Sequence, residues 1–271
     1  MALSGAVLAR SAREPGSERS GGAFSLVFRN YLAYRRGWVF FVTGFLEPVL
    51  YLFSIGVGVG ALVTGFSFHG QEIAYTDFVA PAMLATAAMN GAVIDSTFSV
   101  FFKLRFQKVY DAVLATPMGP PEVCRGEVGW AVIRGAIYSA GFLLVMLAMG
   151  LVSSWWAVLA LPATVLVGFA FAGSGMALTT FMKSWQHFEY IQLALMPMFL
   201  FSATFFPIET YDGVLRWVVE ATPLYRGVVL TRELCTGLVT VDSLVSVVYL
   251  ATMGVVGTWV ASRRLGKLLL T

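Results

Sequence analysis

The sequence predicts an all-α membrane protein with six transmembrane helices, and three observations carry that prediction. Hydrophobic residues make up 58% of the 271-residue chain and charged ones only 12%. Six long apolar segments run from Trp38 to Val63, Phe78 to Phe102, Val128 to Val152, Ala157 to Met182, Phe188 to Phe206 and Leu244 to Val260. Each is close to the roughly 20 residues a helix needs to cross about 30 Å of hydrocarbon, and the runs are continuous, whereas barrel strands would alternate in pieces of about 10. Lysine and arginine gather in alternate connections, the mark of loops that stay in the cytoplasm. They are Arg10, Arg13, Arg19, Arg29, Arg35 and Arg36 before the first segment, then Lys103, Arg105, Lys108 and Arg125 after the second. Lys183 follows the fourth, and Arg263, Arg264 and Lys267 follow the sixth. The intervening connections carry Glu72 and Asp77, no charge from Gly150 to Trp156, and a near balance before the last segment. A multi-pass protein with both termini in the cytoplasm is the expectation.

Residues 1–22, rich in Ser, Gly, Arg and Glu, have too few apolar groups to order themselves and are expected to form a disordered cytoplasmic tail. The membrane domain is expected over 23–265, with a cytoplasmic C-terminus at 266–271. It should open on an amphipathic interfacial helix, because Phe24, Leu26, Val27, Phe28, Tyr31, Leu32 and Tyr34 interleave with Arg29, Arg35 and Arg36. After the second segment, Phe106, Val109, Tyr110, Val113 and Leu114 recur at helical spacing, so Lys103 to Thr116 reads as an amphipathic cytoplasmic helix ended by Pro117. Such a helix either packs on its own protein or docks another. The outer connection from Pro207 to Val241 is too long for a plain loop. Tyr211-Asp212-Gly213 signals a turn and Ala221-Thr222-Pro223 an interruption, so two short helices forming a lid or re-entrant hairpin are expected.

Several chemistries find no support. The chain has no G-x-x-x-x-G-K-[ST] phosphate loop, so energy from ATP would have to come through a partner. Its two histidines, His69 and His187, fall on opposite predicted sides, and no paired-cysteine motif is present, which argues against a metal site within the chain. Cys124 and Cys235 fall on opposite sides too, which argues against a disulfide. The net charge of +3 is spread along one membrane face and does not form the continuous basic surface that a nucleic acid needs.

Charged residues at membrane depth cost roughly 2.5 to 3.5 kcal/mol on insertion scales, so each is a candidate site. Glu47, Asn90, Asp95 and Arg134 fall inside the apolar segments. Either Glu47 or Asp95 pairs with Arg134 and pins helices together, or Glu47, Asn90 and Asp95 line a translocation path; proton handling is a third role. Gly56, Gly58, Gly60, Gly168, Gly173 and Gly175 suit close helix approach or a hinge. Phe201 and Phe205, with Phe206, form an outer apolar gate or serve as interface anchors.

These features together resemble a family. Interfacial helix, six spans, cytoplasmic helix after span two and broken outer hairpin before span six are the order found in ABC type-2 exporter permeases. The runs Phe45-Leu46-Glu47-Pro48-Val49-Leu50-Tyr51-Leu52, Gly56-Val57-Gly58-Val59-Gly60, Tyr110-Asp111-Ala112-Val113-Leu114-Ala115-Thr116-Pro117, Phe206-Pro207-Ile208 and Thr222-Pro223-Leu224 resemble the nodulation-factor exporter and daunorubicin-resistance permease branch. The resemblance covers residues 24–262. It implies a permease subunit in a bacterial inner membrane, paired with a second permease copy, identical or not. Two copies of a separate ATPase, which bind ATP and Mg, would supply the energy, so the chain is not by itself an enzyme and binds no cofactor of its own. It further implies that Arg105, Lys108, Asp111 and Leu114 couple to the ATPase and that the cargo is a bulky amphipathic drug, lipid or lipid-linked glycan. An ion-coupled secondary transporter and a membrane assembly scaffold are the alternatives.

Overall fold

The computed structural model describes residues 20–35, 46–60, 62, 66–68, 71–152 and 154–269. The disordered tail expected over 1–22 therefore lies outside the described residues up to Arg19, and Ser20 already belongs to helix α1, Ser20–Arg35. A second helix, α2 (Leu46–Gly60), is the described part of the first apolar segment and carries a π-helical turn over Leu52–Val57. Two three-residue strands, β1 (Phe66–Phe68) and β2 (Gln71–Ile73), follow as an antiparallel pair with Ser67 opposite Glu72.

Among the described residues, four helices are long and apolar enough to cross a membrane: α3 (Tyr75–Arg105), α5 (Pro120–Ala148), α6 (Trp155–Thr179) and α10 (Val241–Leu269). Between them lie α4 (Val109–Leu114), α7 (His187–Phe201), α8 (Gly213–Ala221) and α9 (Pro223–Thr236). Four of the six expected spans correspond to these helices; the first and fifth segments hold the shorter α2 and α7. At 1.5 Å per residue, a 15-residue helix such as α7 reaches only about 22 Å. The fifth apolar segment was expected to run helically to Phe206, but α7 ends at Phe201. The chain turns there because Ala203 adopts a left-handed φ of 55°, and the Ser202 hydroxyl donates to the Phe199 carbonyl at 3.2 Å.

Helix α3 is the axis of the fold. It is apolar on every side, and residues from Phe78 to Met89 are buried almost without exception, as a helix surrounded by others requires. Pro81 interrupts its hydrogen-bond ladder, and α9 is pinned beside the break: Thr231 donates to the Pro81 carbonyl at 2.8 Å and Arg232 to the Phe78 carbonyl at 3.1 Å. Helix α9 is framed by Thr222, whose hydroxyl accepts from the Tyr225 N–H, by Pro223 in its first turn and by Gly237, at φ 81°, past its last. Helix α5 starts similarly, with Pro120 in the first turn and the Glu122 carboxylate accepting from the Gly119 N–H at 2.6 Å.

Helices α6 and α10 make the tightest seam. A methyl added at Gly257 would stand 2.5 Å from the Ser174 nitrogen, and one at Gly173 would stand 2.5 Å from the Gly254 carbonyl oxygen. Of the glycines marked as packing sites, Gly173 and Gly175 are in close contact with neighbours, whereas Gly58 faces open space. Among the described residues, two large clusters and a small one at Ala203, Val219 and Tyr225 form the core. One large cluster joins α3, α5, α6, α9 and α10 around Met89, Val123, Val167, Met176 and Leu250; the other gathers Leu52, Phe78, Met83, Phe142 and Met146 toward the strand end.

The amphipathic element expected as one helix from Lys103 to Thr116 is two. Helix α3 continues through Lys103 and Arg105. The chain then turns at Phe106–Lys108, with Lys108 at a left-handed φ of 48°, and α4 starts anew at Val109 and ends at Leu114, short of Pro117. The end of the long apolar helix keeps its bonding up to the turn, since the Phe106 and Gln107 N–H groups both donate to the Phe102 carbonyl.

Candidate functional site

A cavity of about 490 Å³ lies between α2, α3 and α7. It exists because α7 buries none of its residues and stands off from α3. The walls are mostly aliphatic and Met side chains, with the aromatic rings of Tyr51, Phe98, Phe188 and Phe199. Glu47 from α2, Thr86, Asn90 and Thr97 from α3 and Gln192 from α7 bring polar groups to it. The two threonine hydroxyls are spent on their own helix, donating to the Ala82 and Val93 carbonyls at 2.9 and 2.6 Å. Among the described residues, no hydrogen bond engages the side chains of Glu47, Asn90 or Gln192.

The structure brings Glu47 and Asn90 to this cavity and sets Asp95 apart from it. Asp95 is 2% exposed and forms an ion pair with Arg134 of α5 at 2.8 Å. Its Oδ1 also accepts from the Tyr34 hydroxyl at 2.8 Å and from Ser99 at 2.9 Å, while Arg134 donates to the Tyr138 oxygen at 2.9 Å. The pinning role is therefore the one its geometry describes. A π-helical turn begins at Asp95 and runs to Ser99, and such turns re-aim side chains that regular α-geometry would point elsewhere.

Beneath the cavity, Phe98, Phe101, Phe102, Phe106, Trp185 and Phe188 form one aromatic cluster, with Phe98 and Phe102 at 4.8 Å and Phe98 and Trp185 at 5.2 Å between ring centroids. At the far end, Phe205 is buried against Phe199, their rings 5.3 Å apart, and its carbonyl accepts from Tyr75 at 3.2 Å; Phe201 stays 43% exposed.

At the α4 end, Glu127 forms a hub that sequence reasoning missed. Its carboxylate is 2% exposed and accepts from Lys103 at 2.7 Å, Asn30 at 2.9 Å and Arg29 at 3.2 Å, tying α1, α3 and α5. Arg105 donates to the Met182 carbonyl at 3.1 Å, holding the end of α3 to the α6–α7 connection. Of the four residues expected to couple, Asp111 and Leu114 ride on α4, Lys108 forms the turn before it, and Arg105 belongs to α3. Tyr110 anchors α4, 1% exposed; burial, with the Glu127 carboxylate adding to it, pushes its phenol well above the ordinary value, so it stays neutral. On α9, Arg232 donates to the Ala203 carbonyl at 2.8 Å and lies over the Phe78 ring, while Glu233 accepts from Thr240 and Ser243. The available signal for Glu127, Arg232 and Glu233 was charge within or flanking apolar sequence, and it went unused because the first abuts the third segment and the others sit in the outer connection. Among the described residues, no three His, Cys, Asp or Glu side chains gather as a metal site would.

Long apolar helices packed around a buried ion pair define a multi-pass helical membrane protein. The chain belongs to the ABC-2 type transporter family, whose family model matches residues 23–236. It is similar to Nodulation protein J of Rhizobium leguminosarum bv. trifolii, 32% identical over 217 residues that cover 79% of this chain and 81% of that protein. Nodulation protein J of R. leguminosarum bv. viciae is 31% identical over 77% of this chain and 80% of its own length, and that of Rhizobium meliloti (strain 1021) is 29% identical over 77% and 79%.

Proposed function

We propose that this chain is the membrane-spanning permease subunit of an exporter that moves a bulky amphipathic molecule out of the cytoplasm or inner leaflet, driven by a separate ATPase. The observation that carries the reading is the cavity between α2, α3 and α7, apolar in its walls and polar at Glu47, Asn90 and Gln192. Its volume falls within the roughly 300 to 1,000 Å³ typical of sites for drug-sized ligands. The chain lies in the inner membrane with α1 and α4 on the cytoplasmic side, as the basic connections favour. Helices α2 and α7 serve as the first and fifth of six spans, and α8 with α9 dips into the outer leaflet as a hairpin. A second permease copy, the same chain or a relative, completes the path, and Phe201 and Phe205 gate its outer end. ATP and Mg act on the ATPase pair. Closure of that pair pushes α4 through Asp111 and Leu114, and the helices shift as rigid bodies between inward and outward openings.

The test is a gentle detergent purification of the tagged chain with identification of what co-purifies and assay of vanadate-sensitive ATP hydrolysis. An ATPase that is lost when α4 is mutated is the expected result. A chain that purifies alone, without hydrolysis, overturns the reading.

A further inference from the structure

Resting on the reading of the cavity as the substrate path, we infer that the substrate head carries positive charge and that Glu47 is its counter-ion. The inference starts from which charges at membrane depth have partners. Asp95 and Arg134 hold each other, Arg29 and Lys103 satisfy Glu127, and Glu233 is capped by Thr240 and Ser243. Arg232 donates to two backbone carbonyls. Glu47 differs: among the described residues no hydrogen bond or ion pair engages its carboxylate, and it is exposed at the cavity wall. An ionised carboxylate inside an apolar segment is costly to keep, and a ligand that supplies the missing charge recovers part of that cost.

The rest of the lining selects the same chemistry. Among the described residues no lysine or arginine lines the cavity, so an anionic head would meet the Glu47 carboxylate with no lining cation to offset it. The amide oxygens of Asn90 and Gln192 accept hydrogen bonds from an ammonium, and the ring faces of Tyr51, Phe98 and Phe199 attract a cation. The aliphatic remainder suits an alkyl or ring system. The class that fits is an amphipathic cation, an apolar body bearing a protonated amine or a quaternary nitrogen.

Binding to the purified full chain in zwitterionic lipid nanodiscs, with empty discs subtracted, tests this. Tetraphenylphosphonium and tetraphenylborate are nearly isosteric ions of opposite charge, and N-phenyl-1-naphthylamine serves as a neutral apolar probe. The wild-type chain should bind the phosphonium saturably and the borate far more weakly. Glu47→Gln should weaken phosphonium binding by about tenfold, the scale of one charge-assisted contact, and leave the neutral probe unchanged, which also reports that the variant is folded. Equal binding of the two ions, no saturable phosphonium binding, or a Glu47→Gln chain that binds the cation like wild type overturns the inference. Thr86→Trp, which fills the cavity, separates the two levels. If it abolishes neutral-probe binding while the cation ignores Glu47→Gln, only the charge inference falls; if it alters no probe's binding, the cavity reading falls as well.

Discussion

At the scale of single residues, the buried charges divide by what they touch. Asp95 and Arg134 share one ion pair buttressed by Tyr34, Ser99 and Tyr138, so removing one partner leaves the other stranded away from water. Asp95→Leu or Arg134→Met should each destabilise the chain by about 3 kcal/mol, and the double substitution that combines them should recover much of that loss. Unfolding in mild detergent, read as a double-mutant cycle, measures it; additive losses would show that the pair contributes nothing as a pair. The sequence made this pairing legible because both charges fall in apolar segments, yet it left Glu47 and Asp95 as rival partners. The choice between them depends on which face of α3 the π-turn presents, and no residue pattern announces a π-turn. Glu127 was hidden for another reason: its three partners come from α1 and α3, separated from it by as many as 98 positions.

Among elements, hydropathy located α3, α5, α6 and α10 well but misjudged the ends. Apolar composition continues past Phe201, whereas the helix does not, because a helix end is decided by a few backbone torsions and hydrogen bonds that hydropathy averages away. For the same reason Lys103 to Thr116 reads as one amphipathic stretch although its backbone turns within it. The α6–α10 seam gives an element-scale test. Gly257→Ala places a methyl against backbone atoms that cannot yield and should sharply reduce folded protein in the membrane, while Gly58→Ala, with nothing within 4 Å, should match or slightly exceed wild type, since alanine favours a helix by about 1 kcal/mol over glycine. Detergent-extracted monodisperse yield compares them, and equal losses would refute the close-approach account.

Over the whole molecule, the proposed export mechanism requires that the α4 end and the cavity respond to each other. Charge reversal at Asp111 combined with Leu114→Asp should abolish export, and with it any stimulation of ATP hydrolysis by substrate, while insertion and probe binding in the cavity persist. Export at the wild-type rate would remove α4 from the coupling path. What the sequence supplied at this scale was the family resemblance and the order of the elements. The cavity itself was not legible, because it arises from α7 standing away from α3, a packing relation between segments more than 80 positions apart in the chain.

The left-handed turn at Lys108 has a mechanical consequence. With no continuous ladder joining α3 to α4, the two helices meet as the arms of a crank: a shove on the short arm arrives at the long one as a tilt and not as a sliding thrust. The long arm is clasped beside the joint by the Lys103–Glu127 contact and farther along by Asp95–Arg134, so the first clasp acts as fulcrum and the second resists the swing. Between that second clasp and the Pro81 break, the helix carries most of its share of the cavity wall, Asn90 included, so a tilt of the long arm would move that wall.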